Sequence, residues 1–484
     1  MKIFIYKLLI ILFLTSTTNS AQELVAEKGS FGIDTKNKII VWHVFNLDSI
    51  LKVRKNIKSI KFNESFRIQD LSTKNLSYTN SISLSNGNSY KLYISKLPII
   101  HLDVNTSELN SRNKILGSFT FFYKTRFLQS HLGIRYRGNL SLSFSKKSFD
   151  LEFWKDKVLK QSKDVKFEGL RSDDDWVLDA MFNEPLRLRS FIAANLWTQI
   201  HQPYYKSKEP EAKSGFGVKY VEVFKNNEYY GVYQLSESVD RKQLKLKKSK
   251  NKTIYGELYK ADSYEGGPSF EKAPKEYSNL LGNWNGWAMR YPFIDNQPNW
   301  KNLAEFSNLV VKEPEDYFTK NIATNFNIAN AIDYYLFVNI LGATDNLGKN
   351  YYLAKYSNNE PYFFVPWDLD GSWGVIQDGK EQYNTDKILD NGLLRRLIVT
   401  NPDNYKQKLK NRWSQLRLKE FSDKNLFAKI DEIYTQFSEE KIYEREFLVW
   451  QNKYTRISKE KHYQHLKWWL EKKLNFLDNY FNNL

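Results

Sequence analysis

The 484-residue chain sets 72 Lys and Arg against 55 Asp and Glu, a formal net charge of +17, and is 41% apolar and 16% aromatic. That is enough apolar material for more than one domain, and the absence of cysteine excludes disulfides, thiolate metal sites and a lipid-modified cysteine. A basic balance suits polyanionic partners: nucleic acid, anionic cell-envelope polymers or acidic proteins. The lysines are spread along the chain and no nucleic-acid fold accompanies them, so a solvated Lys/Asn-rich surface is the simpler reading and nucleic acid is not an expected partner.

In chain order, Met1 to Ser20 places Lys2 and Lys7 ahead of an apolar run, Leu8 to Leu14, and then small polar residues. The run is too short to span a bilayer and reads as a secretory signal cleaved after Ser20 or, alternatively, Ala21. Its removal would leave a charge of about +15. No later run is long enough for a transmembrane helix, so the expected product is exported: periplasmic, cell-surface or extracellular. Residues 21–108 alternate apolar and polar over Ile39–Val44, Ile60–Phe62 and Tyr90–Ile94, the pattern of a small antiparallel β module with no chemistry of its own.

Strands follow at Ser118–Tyr123, His131–Tyr136 and Lys147–Phe153. Arg137-Gly138-Asn139 and a run of serines form a hairpin loop whose backbone can approach phosphates, although it is neither a Walker loop nor a GxGxxG. Strand alternation puts Lys147 on the face of Phe149, Leu151 and Phe153, so Lys147, ahead of Lys146, is the lysine expected to meet nucleotide phosphates. Glu184-Pro185 opens a helix with an apolar face through Leu186, Ile192, Ala193, Leu196 and Trp197. Glu184 is the candidate carboxylate to orient that lysine; a helix-dipole acid is the plainer alternative. Val218–Phe224 and Tyr230–Leu235 pair through the Asn226-Asn227 turn, with Glu237 and Asp240 at the strand end where a kinase places its hinge. Arg241 to Lys252 is a lysine-rich connection, Lys260 on the next strand is within reach of a cleft, and residues 262–300 read as a loop-rich insertion suited to substrate recognition.

The most informative stretch runs from Asp333 to Gly374. An apolar helix through Ile340 breaks at Gly342 and delivers Asp345 and Asn346 to a loop; strands Tyr351–Lys355 and Tyr362–Val365 follow and end in Pro366-Trp367-Asp368-Leu369-Asp370-Gly371. Three acids and two amides thus collect at one end of a small unit, which suits metal-assisted phosphoryl transfer: hard oxygen ligands for Mg²⁺ and a carboxylate to align an acceptor hydroxyl. Asp345 and Asn350 keep the Asp-x-x-x-x-Asn spacing of a kinase catalytic loop, and Asp-Leu-Asp-Gly stands where a kinase carries Asp-Phe-Gly. Asp and Asn five apart are more often turn formers; the joint order of helix, spacing, hairpin and acidic tetrapeptide is what gives the pattern weight.

Beyond Gly374, Leu393–Leu397, Tyr405–Leu416, Leu426–Phe437 and His462–Phe481 carry helical apolar spacing, the last with Leu466, Trp469, Leu470, Lys473, Leu474 and Leu477 on one side. No His-Glu-x-x-His or Gly-x-Ser-x-Gly occurs, which removes zinc hydrolysis and serine-esterase chemistry.

TDNLGKNYYL with PWDLDGSWG resembles the signature of the CotH kinase family, secreted atypical protein kinases, and RGNLSLSFSKKSFDLEF at 137–153, DDDWVLDAMFNEPLRLRSFIAANLW at 173–197 and KYVEVFKNNEYYGVYQLSESVD at 219–240 agree. The resemblance covers roughly residues 110–380. It implies an α+β, bilobal, protein-kinase-like fold over 109–380 with the N-terminal β module and a helical C-terminal extension over 381–484. It also implies an ATP-binding lysine at Lys146/Lys147, and Arg189 matches a family arginine while Ser190 departs from the usual Asn. The expected activity is transfer of the ATP γ-phosphoryl group to Ser/Thr of a secreted or envelope protein. Asp345 would be catalytic; Lys147, Lys146, Glu184 and Glu237 would serve ATP; Asn350, Asp368 and Asp370 would hold Mg²⁺ or Mn²⁺, with Asp368 the favoured ligand. The competing expectations are a non-catalytic surface-binding protein on the same fold and a nucleotide-dependent transferase acting on a glycan.

Overall fold

The computed structural model describes residues 22–48, 57–68, 77–83, 87–158, 160–451 and 458–484, so the expected leader and its expected cleavage after Ser20 or Ala21 lie outside the described residues. The fold is mixed α/β. Near the N-terminus, Ile39–His43 pairs with Ser89–Ser95 in parallel and Gln22–Val25 with Ile57–Lys61 in parallel. The all-antiparallel module expected from the alternation is therefore two small mixed sheets, because period two fixes which face is buried and says nothing of strand direction.

The next strands close on themselves. They are β1 (Ile99–Val104), β2 (Ile115–Tyr123), β3 (Arg126–Arg137), β4 (Ser148–Trp154), β5 (Asp175–Asp179), β6 (Val218–Lys225) and β7 (Glu228–Glu237), joined in a barrel of order β3-β4-β5-β7-β6-β1-β2. Alternate residues fill it, among them Ile100, Leu102, Phe119, Phe121, Leu132, Ile134, Phe149, Leu151, Phe153, Trp176, Leu178, Val221, Val223 and Leu235. Such a small barrel is packed with side chains and has no lumen. β1 lies before residue 108, on the N-terminal side of the boundary read from the sequence, yet it seals the barrel between β2 and a parallel β6. Asn226 and Asn227, both at positive φ, make the β6–β7 turn as their residue types require.

Against the barrel stands a five-stranded sheet, order β9-β10-β8-β11-β12, built from β8 (Glu257–Ala261), β9 (Asn283–Trp284), β10 (Trp287–Tyr291), β11 (Tyr351–Lys355) and β12 (Tyr362–Pro366). Two of its strands come from the 262–300 insertion, which is more than loops: Trp284, Trp287 and Trp300 bury their rings beneath it. Besides a single four-residue turn at Arg241–Leu244, the α-helices among the described residues are α1 (Arg189–Ile200), α2 (Lys301–Val311), α3 (Glu315–Asn325), α4 (Ile328–Leu341), α5 (Gly392–Thr400), α6 (Tyr405–Arg417), α7 (Asp423–Glu439), α8 (Ile442–Val449) and α9 (Lys459–Asn482). α4 is apolar on nearly every side, and its position in the middle of the helical body follows from that. It opens with Asn327 accepting from the Asn330 amide and closes at Gly342, φ +65°. α9 presents Leu466, Trp469, Leu470, Leu474 and Leu477 to the same core, the side marked by its spacing. Among the described residues no helix is long and apolar enough to cross a membrane.

α1 starts at Arg189, five residues later than Glu184. Arg187 takes a positive φ of 58°, so the chain turns once before the helix can begin.

Candidate active site

One cleft gathers the chemistry. Its barrel wall is the Arg137–Ser141 loop, Phe144, Lys146, Ser148 and Asp179–Asn183; its opposite wall is Asp345, Lys349, Asn350, Asp368, Asp370 and Gln377. The enclosed floor holds about 100 Å³.

The opposite wall follows from α4. After the Gly342 cap, the chain makes a single 3-10 turn, Asp345–Leu347, which carries the acid out of the helical core. Asn346 ties that turn to the hairpin: its Nδ2 donates to the Asn350 carbonyl at 2.6 Å and to the Trp367 carbonyl at 2.9 Å, and the Trp367 amide donates to the Asn350 carbonyl at 3.0 Å. Asn350 and Asp368 both adopt left-handed backbone, φ +57° and +56°. Asn and Asp tolerate that region better than other non-glycine residues, and its occupation at two neighbouring site positions aims both side chains into the cleft.

Within the site Asn350 Nδ2 donates to Asp345 Oδ2 at 2.8 Å, which leaves Asp345 Oδ1 and Asn350 Oδ1 for other partners. Asp370 accepts from Asn183 Nδ2 at 2.7 Å. Asp368 accepts no hydrogen bond from the described residues and opens to the cleft. Asp179 accepts from Ser148 Oγ at 3.2 Å and from the Met181 amide at 3.1 Å. Burial first, and then the neighbouring carboxylates, push the carboxyls of Asp345 and Asp370 above the usual range, Asp370 well above it. Burial raises Asp368 too, against the pull of Arg137. Four carboxylates with few donors and a strained charge balance form a hard-oxygen set that fits a divalent cation such as Mg²⁺. A second acidic group, Asp164, Asp173 and Asp174, does not fit one. Lys242 donates to Asp173 at 2.6 Å and to Asp174 at 2.9 Å, and Arg171 also pairs with Asp173, so its charge is already met.

The barrel wall corrects three expectations. Lys146, not Lys147, lines the cleft: the strand starts at Ser148, so the alternation that put Lys147 with Phe149 does not extend to it. Lys147 is half-buried and donates to the Leu142 carbonyl at 2.5 Å. Lys146 is fully buried, donates to Glu446 Oε1 at 2.9 Å and the Val232 carbonyl at 2.6 Å, and lies 4.5 Å from the centroid of the Tyr233 ring. Glu446, from α8, also takes Arg187 Nη2 at 3.1 Å and the Val232 amide. Burial brings the Lys146 ammonium down to about 8, with Glu446 opposing, while the charges of Lys146 and Arg187 hold Glu446 below its usual value.

Glu184 does not meet the lysine. It takes the amides of Leu186 and Leu188 at 2.9 and 2.5 Å and pairs with Arg189, whose Nε reaches the Trp373 carbonyl at 3.3 Å. It is the acid at the head of α1 and steadies the loop that carries Asp368 and Asp370. Glu237 lies outside the cleft. It is buried among Lys213, the amides of Arg171 and Gly217 at 2.6 and 2.8 Å, and Gln243 Nε2 at 3.1 Å, which join β7 to the segments around it.

Sequence reasoning therefore brought Asp345, Asn350, Asp368 and Asp370 to one place, kept Lys146 only as the second choice behind Lys147, and missed Asp179 and Glu446. Asp179 stands in the quoted DDDWVLDAMFNEP stretch, on a strand whose alternation sends Val177 and Asp179 away from Trp176 and Leu178. Nothing near Glu446 in the sequence marks it, since its partner lies 300 positions away.

Comparison with known families gives a match to CotH, described as CotH kinase protein, over residues 134–477. No curated protein matches the chain. The matched span takes in both walls of the cleft and α8 with its Glu446, and the chain belongs to the CotH kinase family.

Proposed function

We propose that the protein is an exported, ATP-dependent kinase that transfers the γ-phosphoryl group to a Ser/Thr hydroxyl of a secreted or envelope protein. Membership of a kinase family supports a phosphotransferase of this general kind. The observation that carries the finer reading is the meeting of four carboxylates with a buried Lys–Glu pair across one cleft.

On this reading Asp345 aligns the acceptor hydroxyl. One of its oxygens is held by Asn350, and its raised affinity for protons suits it to receive the hydroxyl proton as the oxygen attacks the γ-phosphorus and the bond from that phosphorus to the β,γ-bridging oxygen breaks, releasing ADP. Asp368 and Asp370, with Asn350 Oδ1 and Asp179 beside them, would hold the divalent cation. Bound Mg²⁺ or Mn²⁺ supplies charge neutralisation and orientation at the phosphate oxygens. Lys146 offers its remaining N–H to a phosphate oxygen while Glu446 and the Val232 carbonyl fix its ammonium in place. The Arg137–Ser141 loop closes the cleft on the barrel side. A floor of about 100 Å³ takes a cation and a phosphoryl group, so the nucleoside would lie in the open mouth.

The test is label transfer from γ-labelled ATP, with Mg²⁺ or Mn²⁺, to a cell-envelope extract and to the protein itself. The wild-type chain is expected to transfer label and Asp345→Asn to lose at least about 100-fold in rate with its melting temperature kept. Equal transfer by the variant overturns the assignment.

A further inference from the structure

At the mouth of the cleft the charge balance reverses. Lys349 lines the cleft and stands 5.9 Å from the exposed Tyr264 ring. Lys260 stands on β8 opposite Tyr352 and Ala288, and its Nζ is 2.8 Å from Asp262. Arg290 on β10 reaches the same carboxylate at 3.9 Å and is half exposed. Arg137 covers Trp367 at 5.6 Å, and the Trp367 and Tyr352 rings lie 6.0 Å apart. A continuous face thus runs from Arg290 through Lys260, Tyr352 and Trp367 to Arg137, beside Asp368. It is fastened to the catalytic turn, because the Asn350 amide donates to the Ala261 carbonyl at 3.1 Å. Four cations share this rim with Asp262, and against the opposing effect of burial three of them, Lys260, Arg290 and Lys349, hold its carboxyl below its usual value. The nearby Asp240 is already taken by Arg171, two bonds of 2.9 Å.

Lys146 is matched by Glu446, and a divalent cation bound on the proposed ligands would match the acids of the floor, so that neither would cancel the rim. A surplus of positive charge remains where an acceptor must approach, and like-signed acceptors would be repelled from it. Resting on the phosphotransfer reading, we infer that the acceptor is an acidic peptide: a Ser or Thr with Asp or Glu nearby in sequence, docked through its carboxylates on Lys260 and Arg290 and passing Tyr264 on its way to Asp345. The insertion, which supplies Asp262, Tyr264 and Arg290, then sets substrate preference.

The experiment uses the full mature chain with γ-labelled ATP and three Ser peptides, flanked by Asp/Glu, by Ala or by Lys. The acidic peptide is expected to have at least about 10-fold higher kcat/KM than the Ala peptide, and the Lys peptide to be poorest. Lys260→Gln/Arg290→Gln should raise KM for the acidic peptide about 10-fold, leaving kcat, KM for ATP and the Ala peptide unchanged, and Asp262→Asn should lower it. Equal use of the three peptides, or a rise in KM for ATP, overturns the inference. Fluorescence anisotropy of the labelled acidic peptide reads the rim apart from catalysis. Binding lost in the double variant, with no label transferred by the wild type to any acceptor, would overturn the phosphotransfer reading and keep the docking site; wild-type binding no tighter for acidic than for Ala peptide overturns the docking site.

Discussion

Lys146, the side chain proposed to meet phosphate, shows how burial and two partners set the charge of a single group. Buried without a partner, an ammonium would lose its proton; here Glu446 and the Val232 carbonyl keep the charged form available with a value of about 8. The charge is present below about pH 8 and lost above it, so kcat/KM should show an alkaline limb near pH 8. The acid limb should follow Asp345, whose raised carboxyl must be ionised to accept a proton: activity falls as pH drops through that value. A pH–rate profile checks both limbs, and Lys146→Arg, which stays charged, should carry the alkaline limb upward. Lys146→Ala should lower kcat/KM by about 100-fold or more, while Lys147→Ala, whose ammonium only caps the Leu142 carbonyl, should stay within about 3-fold. Comparable losses in the two would return the role to the lysine that strand alternation favoured.

At the scale of elements, the short helix α8 decides whether that lysine is in place. Its Glu446 meets Lys146 and Arg187 together, all three buried. Glu446→Ala would leave two buried cations facing each other and should cost about 3–5 kcal/mol by chemical denaturation. Gly231 on β7 makes the contact possible: at φ +99° it is left-handed, and a β-carbon there would overlap Glu446 Oε1. Gly231→Ala should therefore destabilise by about 1–3 kcal/mol and lower the affinity for nucleotide, read by thermal shift with ATP and Mg²⁺. On the other wall, the α4 cap and the Asn346 bridges hold Asp345 against the strand ends, which is why an acid leaving a helix and an acid ending a hairpin line the same cleft.

At the scale of the whole molecule, the candidate site lies where the seven-stranded barrel, filled by one core, faces the helix-backed sheet, whose larger core also takes Val177 and Val218 from the barrel strands. The carboxylates they bring together repel one another, so the metal-free protein carries a built-in cost there. Asp368→Asn should raise the melting temperature of the metal-free chain by about 1–3 °C, and should abolish the rise that millimolar Mg²⁺ gives the wild type. Calorimetry with and without Mg²⁺ reads both, and a Mg²⁺ shift kept in the variant would remove Asp368 from the ligand set.

Local sequence was sufficient wherever the physics is local. Period-two and helical apolar spacing marked β11, β12, α6 and α9 close to their observed limits and the C-terminal part of α4, whose first turn at Ile328 precedes the Asp333 start read from the sequence; Gly342 stopped α4, and the Asp-x-x-x-x-Asn spacing with Asp-Leu-Asp-Gly marked four residues that line the candidate cleft, since all of them lie on one short unit whose turns fix their order. The family followed from the same motifs. Tertiary structure alone decided closure of the barrel, the parallel strand pairs, the choice of Lys146 over Lys147, and the partner of that lysine. Each depends on which surfaces meet across long chain separations. Period and propensity describe how a segment presents its own faces and carry no information about what another segment, hundreds of residues away, will set against them.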